Sequence, residues 1–206
     1  MQTSGVSLRD RQRTATWQAI HEAAYQLVDE RGLSSVTVEE IVAAAGVSQR
    51  TFFNYFPSKE DAVLGLRTPS LPDEVVDRFR RGEDGDLFSR VVHLLAGVFR
   101  STAPSDSWER VHHLVERYPE MRKRVVHYVG AAEQLVQDYV AGRWKDEHPR
   151  PPDGVDTPEK ARALVMVAGA VLRYASFHKL PATAAERDNA INQAIATFRE
   201  VIQQAL

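Results

Sequence analysis

The sequence predicts an all-α protein. Apolar residues recur at spacings of three and four, and no run alternates apolar and polar residues as a strand would. Glycine, proline and N-capping residues divide the chain into segments of helical length. The 206 residues are 43% apolar and 26% charged, which is typical of a globular protein with a sizeable core.

The composition excludes several classes of protein. There are no cysteines, so disulfides, thiolate metal sites and a cysteine nucleophile are ruled out. The longest apolar run is ten residues, 163–172, whereas a membrane-spanning helix needs about 20. The first residues lack the apolar segment of a signal peptide, so we expect a cytoplasmic location and no membrane partner. The net charge of −2 means that any nucleic-acid site must come from a local concentration of basic residues.

The first predicted helix covers residues 14–31, and it is closed by Gly32 at a C-terminal cap position. Its apolar residues share one face: Trp17, Ile20, Ala24, Leu27 and Val28. A basic arm with Arg9, Arg11 and Arg13 precedes it, and we expect this arm to be flexible.

The second helix has two independent start signals. Thr37 and Glu40 form a capping box, and Val36 and Ile41 occupy the positions of a hydrophobic staple. The helix is expected to end near residue 45, before Gly46.

A third helix begins after the N-cap Ser48 and ends near Phe56, because Pro57 disfavours helical geometry in the residue before it. Ser58 opens a fourth helix, which the Pro-containing residues 68–72 interrupt. Helical patterns then cover residues 73–81, 86–101, 106–117, 120–145, 158–179 and 183–206, and residues 146–157 are the least structured stretch.

Residues 37–56, TVEEIVAAAGVSQRTFFNYF, have the spacing of a helix-turn-helix. If apolar residues form the seam between its helices, one side of the third helix is free for side chains of base-reading type, namely Gln49, Arg50, Thr51 and Asn54. Phosphate contacts are expected beside them from Thr37, Tyr55 and Lys59, and we add the N-cap Ser48 to the candidate DNA-binding residues. The alternative is structural, because two short helices joined by a glycine turn also occur in helical proteins that do not bind DNA.

Residues 37–61 resemble the DNA-binding domain of TetR-type transcriptional regulators, in the pieces TVEEIVAAAGVS and TFFNYFPSKED. The resemblance covers about residues 14–66. It implies a DNA-binding domain over residues 1–56, followed by a ligand-binding and dimerisation domain of about six helices over residues 57–206, with 57–67 as the connecting helix. Many members carry Tyr where this chain has Phe53. Without a hydroxyl Phe53 cannot donate to a phosphate, and contact with a thymine methyl or a sugar remains open.

The last two helices carry apolar seams of the kind found in coiled coils. The residues are Leu164, Ala168, Val171, Leu172, Ile191, Ile195, Phe198 and Ile202. They either pair two subunits in a four-helix interface or bury against their own bundle; the resemblance implies the homodimer.

The middle of the chain is expected to hold an effector pocket, which needs an apolar lining and a few polar groups. Candidate lining residues are Phe99, Trp108, His112, Tyr118, Met121, Tyr128, Arg173 and Phe177. Each can equally belong to the core or, for Arg173, cap the end of an apolar stretch. The histidines lack the i, i+4 spacing of a helical metal site, so neither a metal nor a cofactor is expected.

The sequence therefore favours a regulator, most simply a repressor, that binds a palindromic double-stranded DNA operator as a homodimer and is released by a small-molecule effector. An activator has the same sequence features. The alternative from another class is a helical ligand-binding protein or enzyme with an incidental helix-turn-helix. No nucleophile elbow, P-loop, zinc-protease or dinucleotide motif supports an enzyme.

Overall fold

The computed structural model describes residues 8–102, 107–142, 152–176 and 183–205. All the regular elements in these ranges are helical, which confirms the predicted fold class. The α-helices are α1 (Leu8–Arg31), α2 (Val38–Ala45), α3 (Gln49–Tyr55), α4 (Lys59–Leu64), α5 (Asp73–Arg81), α6 (Leu87–Thr102), α7 (Ser107–Arg117), α8 (Arg122–Val140), α9 (Pro158–Ser176) and α10 (Ala184–Ala205). None of the described helices combines the length and the apolar character needed to cross a bilayer.

The predicted start of α2 is confirmed in detail. The Thr37 side chain accepts a hydrogen bond from the Glu40 amide, and the Glu40 side chain accepts one from the Thr37 amide. Val36 and Ile41, the two residues of the staple, are fully buried. Gly46 then ends the helix in the left-handed conformation, with φ of 65°, which costs glycine nothing because it has no Cβ.

Two helices differ from the prediction. Helix α1 begins at Leu8, so the basic arm is part of the helix and is not a flexible segment. Helix α8 is shorter than predicted, because Tyr118 adopts a non-helical conformation and a 3-10 turn, Pro119–Met121, precedes the helix.

The contacts divide the chain into two compact units. The first contains residues 1–66 together with 106–124, and the second contains 67–105 together with 125–206. Helix α4 packs against α1 in the first unit, where His21 Nδ1 lies 2.8 Å from the Ala62 carbonyl oxygen. The predicted functional boundary after residue 56 stays a prediction, but by packing α4 belongs with the three helices before it.

The second unit has its own core, in which α6 packs against α5, α9 and α10. Residues 91–98 of α6 are buried without a break. Tyr139 of α8 stacks edge-on against Phe79 of α5, with 5.7 Å between the ring centroids. Because α6 is buried all round, it needs apolar partners on every side. The apolar stripes of α9 and α10 pack against it within the chain.

Candidate nucleic-acid interface

The turn between α2 and α3 is held by backbone hydrogen bonds and a cap. The Val47 amide donates to the Val42 carbonyl over 3.0 Å, and the Ser48 side chain accepts from the Thr51 amide over 3.0 Å. Phe52 is fully buried. These contacts leave α3 with one buried side and one side open to solvent.

The open side of α3 carries most of the predicted base-reading residues. Gln49, Arg50 and Asn54 are exposed, whereas Thr51 is half-buried. Ser48 and Thr51 place their hydroxyl oxygens 2.8 Å apart, so the two side chains satisfy each other at the start of the helix. The surface available to a partner is therefore formed by side chains with both donor and acceptor groups, as base edges require.

Glu39 of α2 is a neighbour of this surface that the sequence pattern did not identify. The Gln49 side-chain amide donates to the Glu39 carboxylate over 3.1 Å. The two residues are ten positions apart and lie on different helices, so only the folded chain brings them together. The hydrogen bond to Glu39 fixes the position of the Gln49 side chain while no partner is bound.

Lys59, a predicted phosphate contact, makes two hydrogen bonds within the protein. Its ammonium group is half-buried and donates to the Leu33 and Val36 carbonyl oxygens, each over 2.8 Å. Carbonyl groups at the end of a short helical turn have no partner within that turn, and a cation satisfies them well. Lys59 therefore has a role inside the protein, and because a third donor remains on its ammonium group, the phosphate contact stays a prediction.

Thr37 is likewise engaged within the protein. Its amide donates to Glu40 over 2.9 Å, and its hydroxyl lies 3.2 Å from the same carboxylate oxygen. The Glu40 carboxylate also accepts from Arg31 over 2.6 Å. The hydrogen bond from the Thr37 amide, together with the one from Arg31, lowers the pKa of Glu40 below its ordinary value of 4.5. The Glu40 carboxylate thus satisfies the Thr37 amide within the chain, and the phosphate contact of Thr37 stays a prediction.

Positive charge on the first unit is found at the start of α1. Arg9, Arg11 and Arg13 are all exposed there. Arg9 and Arg13 are one turn apart and share a side of the helix. The remaining predicted contact, Tyr55, is half-buried at the end of α3.

A segment distant in sequence completes the first unit. Arg110 lies 3.1 Å from Glu22, and Arg117 lies 3.0 Å from Asp29, so α7 is paired twice with α1. Arg124 Nη1 lies 2.9 Å from Asp61 of α4. Sequence spacing gave no signal for these pairs, because the partners are separated by 63 to 88 positions.

The predicted effector-pocket residues are divided between the two units. Phe99 and Tyr128 are half-buried in the second unit, Tyr118 is half-buried and Met121 fully buried in the first, and His112 and Arg173 are exposed. The Trp108 side chain and Phe177 lie outside the described residues. The Tyr118 hydroxyl lies 3.4 Å from the Val28 carbonyl oxygen, which is a contact within the helical packing.

The second unit has an open groove of about 440 Å³ between α8 and α9. Its lining is Gly130, Glu133, Gln134, Gln137, Arg162, Val165 and Met166. None of these was a predicted pocket residue, although Arg173 lies 3.7 Å from Glu133. Ligand pockets are mostly apolar with few polar groups, and this groove is mainly polar.

Most of the predicted dimer residues pack within the subunit. Ala168, Val171, Ile191 and Ile195 are buried in the core of the second unit. Leu164, Leu172 and Phe198 are partly buried against that core, and Ile202 is exposed. Most of the predicted dimer residues therefore follow the second alternative, burial within the chain's own bundle. The reason is that α6 needs those apolar side chains as packing partners. Four large apolar side chains of α9 and α10 are exposed instead: Met166, Tyr174, Val201 and Ile202.

Known proteins and one family model resemble parts of this chain. Residues 20–64 match the family model described as "Bacterial regulatory proteins, tetR family". The HTH-type transcriptional regulator EthR of Mycobacterium tuberculosis is 42% identical over 48 residues, which are 23% of this chain and 22% of EthR. The uncharacterized HTH-type transcriptional regulator YvdT of Bacillus subtilis is 30% identical over 76 residues, 37% of this chain and 39% of YvdT. Each similarity thus spans less than half of the relative's length.

A solved TetR family transcription regulator from Marinobacter aquaeolei is 25% identical, and the match covers 89% of this chain and 96% of that one. Its TM-score is 0.36, too low for any conclusion about the arrangement of the helices. The family match covers residues 20–64, the segment that contains α2 and α3, and EthR and YvdT are both named as HTH-type transcriptional regulators. Residues 20–64 therefore carry the N-terminal domain of the TetR family of bacterial regulatory proteins, and the relatives named above are HTH-type transcriptional regulators.

Proposed function

We propose that the chain is a repressor that binds double-stranded DNA through the exposed side of α3. The observation that carries the proposal is the exposure of Gln49, Arg50 and Asn54 on a short helix whose other side is buried. Arg binds guanine in a bidentate manner, and Gln and Asn bind adenine in the same way. Arg9, Arg11 and Arg13 supply positive charge for phosphate groups on the same unit.

The test begins with the whole chain and a random-sequence duplex library, from which bound duplexes are selected and sequenced. We expect one palindromic sequence to be enriched. Its affinity should fall as salt rises, because phosphate neutralisation releases counterions. Failure to enrich any sequence, or an affinity indifferent to salt, would contradict the proposal.

Arg50→Ala tests the reading helix itself. We expect affinity for the selected duplex to fall about 10- to 100-fold, since a bidentate pair contributes about 1–3 kcal/mol of discrimination. Arg122→Ala is the matched control, because Arg122 is an exposed arginine of the same unit that lies outside α3. Equal affinity of the two variants would refute the role of Arg50.

We propose further that two copies pair through the outward faces of α9 and α10. Met166 is 60% exposed on α9, and Val201 and Ile202 are exposed on α10. Pairing would cover these side chains and would aim two recognition helices at half-sites about 34–36 Å apart, or multiples of that distance. This surface replaces the buried residues that the sequence predicted for the interface.

Sedimentation equilibrium of the full chain tests the dimer. The wild type is expected to have the mass of two chains, and the double variant Met166→Glu, Ile202→Glu the mass of one. Val126→Glu is the matched control, because Val126 is an apolar side chain that is 63% exposed on α8, a helix that the proposed pairing does not include. A wild type that is monomeric at micromolar concentration would overturn the proposed pairing.

The effector part of the proposal is supported by the match of residues 20–64 to the tetR family model and by the division of the chain into two units. A ligand can release DNA only if it binds better to the conformation with low DNA affinity. Screening small molecules for release of the selected duplex, with thermal stabilisation of the DNA-free chain as the second readout, tests this part. A compound that stabilises the chain without lowering its DNA affinity is not an effector.

A further inference from the structure

Phe53 is the one large apolar side chain on the exposed side of α3. It is 52% exposed, whereas the adjacent Phe52 is fully buried. The two rings meet edge to face, with 5.3 Å between centroids and an interplanar angle of 87°. This contact packs the Phe53 ring against a ring of the core, and about half of the Phe53 side chain stays open to solvent.

Helical geometry places Phe53 inside the polar reading surface and not at its margin. Successive residues advance by about 100° around the axis, so with Gln49 at zero, Phe53 lies at about 40°, Arg50 at about 100° and Asn54 at about 140°. Phe53 is therefore flanked by Gln49 on one side and by Arg50 and Asn54 on the other. A partner that contacts those three polar side chains must also cover the Phe53 ring.

The chemistry of that partner follows from what a phenyl ring can do. Phe53 has no hydrogen-bonding group, so it cannot satisfy a phosphate oxygen or the polar edge of a base. Facing such a group would bury polar atoms without a partner, which is unfavourable. The apolar group that the major groove offers at a base edge is the C5-methyl of thymine, and Phe side chains contact it.

We propose that Phe53 is a specificity-determining residue that contacts a thymine methyl in each half-site of the operator. The inference rests on the proposed DNA-binding function and adds to it. Gln49, Arg50 and Asn54 select bases by hydrogen bonds, and Phe53 selects thymine at a neighbouring position by covering its methyl. The rigid support from Phe52 lowers the entropy that the ring loses on binding.

Replacing thymine by uracil tests the contact, because the two bases differ only by this methyl. In the duplex enriched by the full chain, each thymine is replaced singly by uracil, and affinity is measured for the wild type, Phe53→Ala and Asn54→Ala. For the wild type we expect one position in each half-site where uracil weakens binding about fourfold, the factor for one methyl taken out of water. Phe53→Ala should bind thymine and uracil duplexes equally. Asn54→Ala, the matched control, should bind more weakly while keeping the difference.

A second measurement does not depend on any variant. With 5-iodouracil at the sensitive position, ultraviolet light should cross-link the wild-type chain to DNA through the peptide that contains Phe53. Equal affinity of the wild type for thymine and uracil at every position would overturn the inference, as would full uracil sensitivity in a folded Phe53→Ala variant. Failure to enrich any duplex contradicts the proposed function itself, so the two failures are distinguishable.

Discussion

Lys59 places its ammonium group 2.8 Å from both the Leu33 and the Val36 carbonyl oxygens, in the turn that leads into α2. An ammonium group has three donors, so two of them serve the fold. The contact joins the start of α4 to the turn before α2, and it thereby helps to orient α2 behind the reading helix. The Lys59 ammonium group therefore stabilises the unit that presents α3.

Lys59→Ala is expected to lower the free energy of unfolding by about 1–3 kcal/mol, because two backbone carbonyls lose a charged donor. Urea denaturation followed by circular dichroism measures the change. Lys123→Ala serves as the control, since Lys123 is exposed on α8. Unchanged stability combined with weaker DNA binding would contradict this structural role and would support the phosphate contact predicted from the sequence.

At the scale of the element, the start of α2 depends on Glu40. This carboxylate accepts from the Thr37 amide and from Arg31, and both contacts favour its ionised form. The pKa of Glu40 is therefore lower in the folded chain than in the unfolded chain. A lowered carboxyl pKa stabilises the folded state above the unfolded pKa, and this stabilisation is lost as the pH falls through the folded pKa.

Comparing Glu40→Gln with the wild type tests this dependence. We expect the wild type to be more stable at neutral pH, with a difference that shrinks as the pH falls below 4.5, the ordinary value for this carboxyl. Denaturant midpoints measured for both proteins over a series of pH values check this, since every other acidic group contributes equally to both curves. A difference that does not change with pH would show that the charge of Glu40 is not involved.

The end of α4 is also decided by packing between elements. Gly65 caps the helix in the left-handed region, with φ of 60°. A Cβ at this position would fall on the ring of His21 in α1. Gly65 therefore meets two requirements at once: a backbone conformation that favours glycine, and the close approach of α4 to α1.

Gly65→Ala should destabilise the chain by about 1–3 kcal/mol more than Gly46→Ala, the range expected for overpacking. Gly46 is a matched control because its φ is 65° and no atom lies within 4 Å of the Cβ that would be added. The difference between the two variants in thermal or urea unfolding isolates the contact with His21. Equal destabilisation would mean that the ring moves aside without cost.

At the scale of the whole molecule, the division into units does not follow the order of the chain. Residues 106–124 follow helices of the second unit in sequence but pack with residues 1–66. Arg110 and Arg117 pair with α1, and Arg124 pairs with the almost fully buried Asp61 of α4. The unit that carries the reading helix therefore includes a segment from the middle of the chain.

Arg124→Ala should lower the free energy of unfolding by about 1–3 kcal/mol, because it leaves the buried Asp61 carboxylate without its charged donor. Combined with Asp61→Asn, it should cost less than the sum of the two single changes, since the pair is a direct contact. Denaturant unfolding of the two single variants and the double variant measures this coupling. Strict additivity would contradict a direct interaction in solution.

Local sequence patterns were enough to predict the all-α class, the helix starts at Thr37 and Ser48, and the exposure of Gln49, Arg50 and Asn54. These features depend on contacts within three or four residues, and local spacing encodes such contacts directly. The exposed place of Phe53, four residues after Gln49, was available from the same spacing. An apolar stripe, in contrast, shows that a helix face will be buried but does not show against what. Two further features were visible only in the folded chain: Ile191 and Ile195 pack inside the subunit, and Lys59 and Arg124 hold the first unit together. Local patterns do not encode them, because those contacts join residues far apart in the sequence.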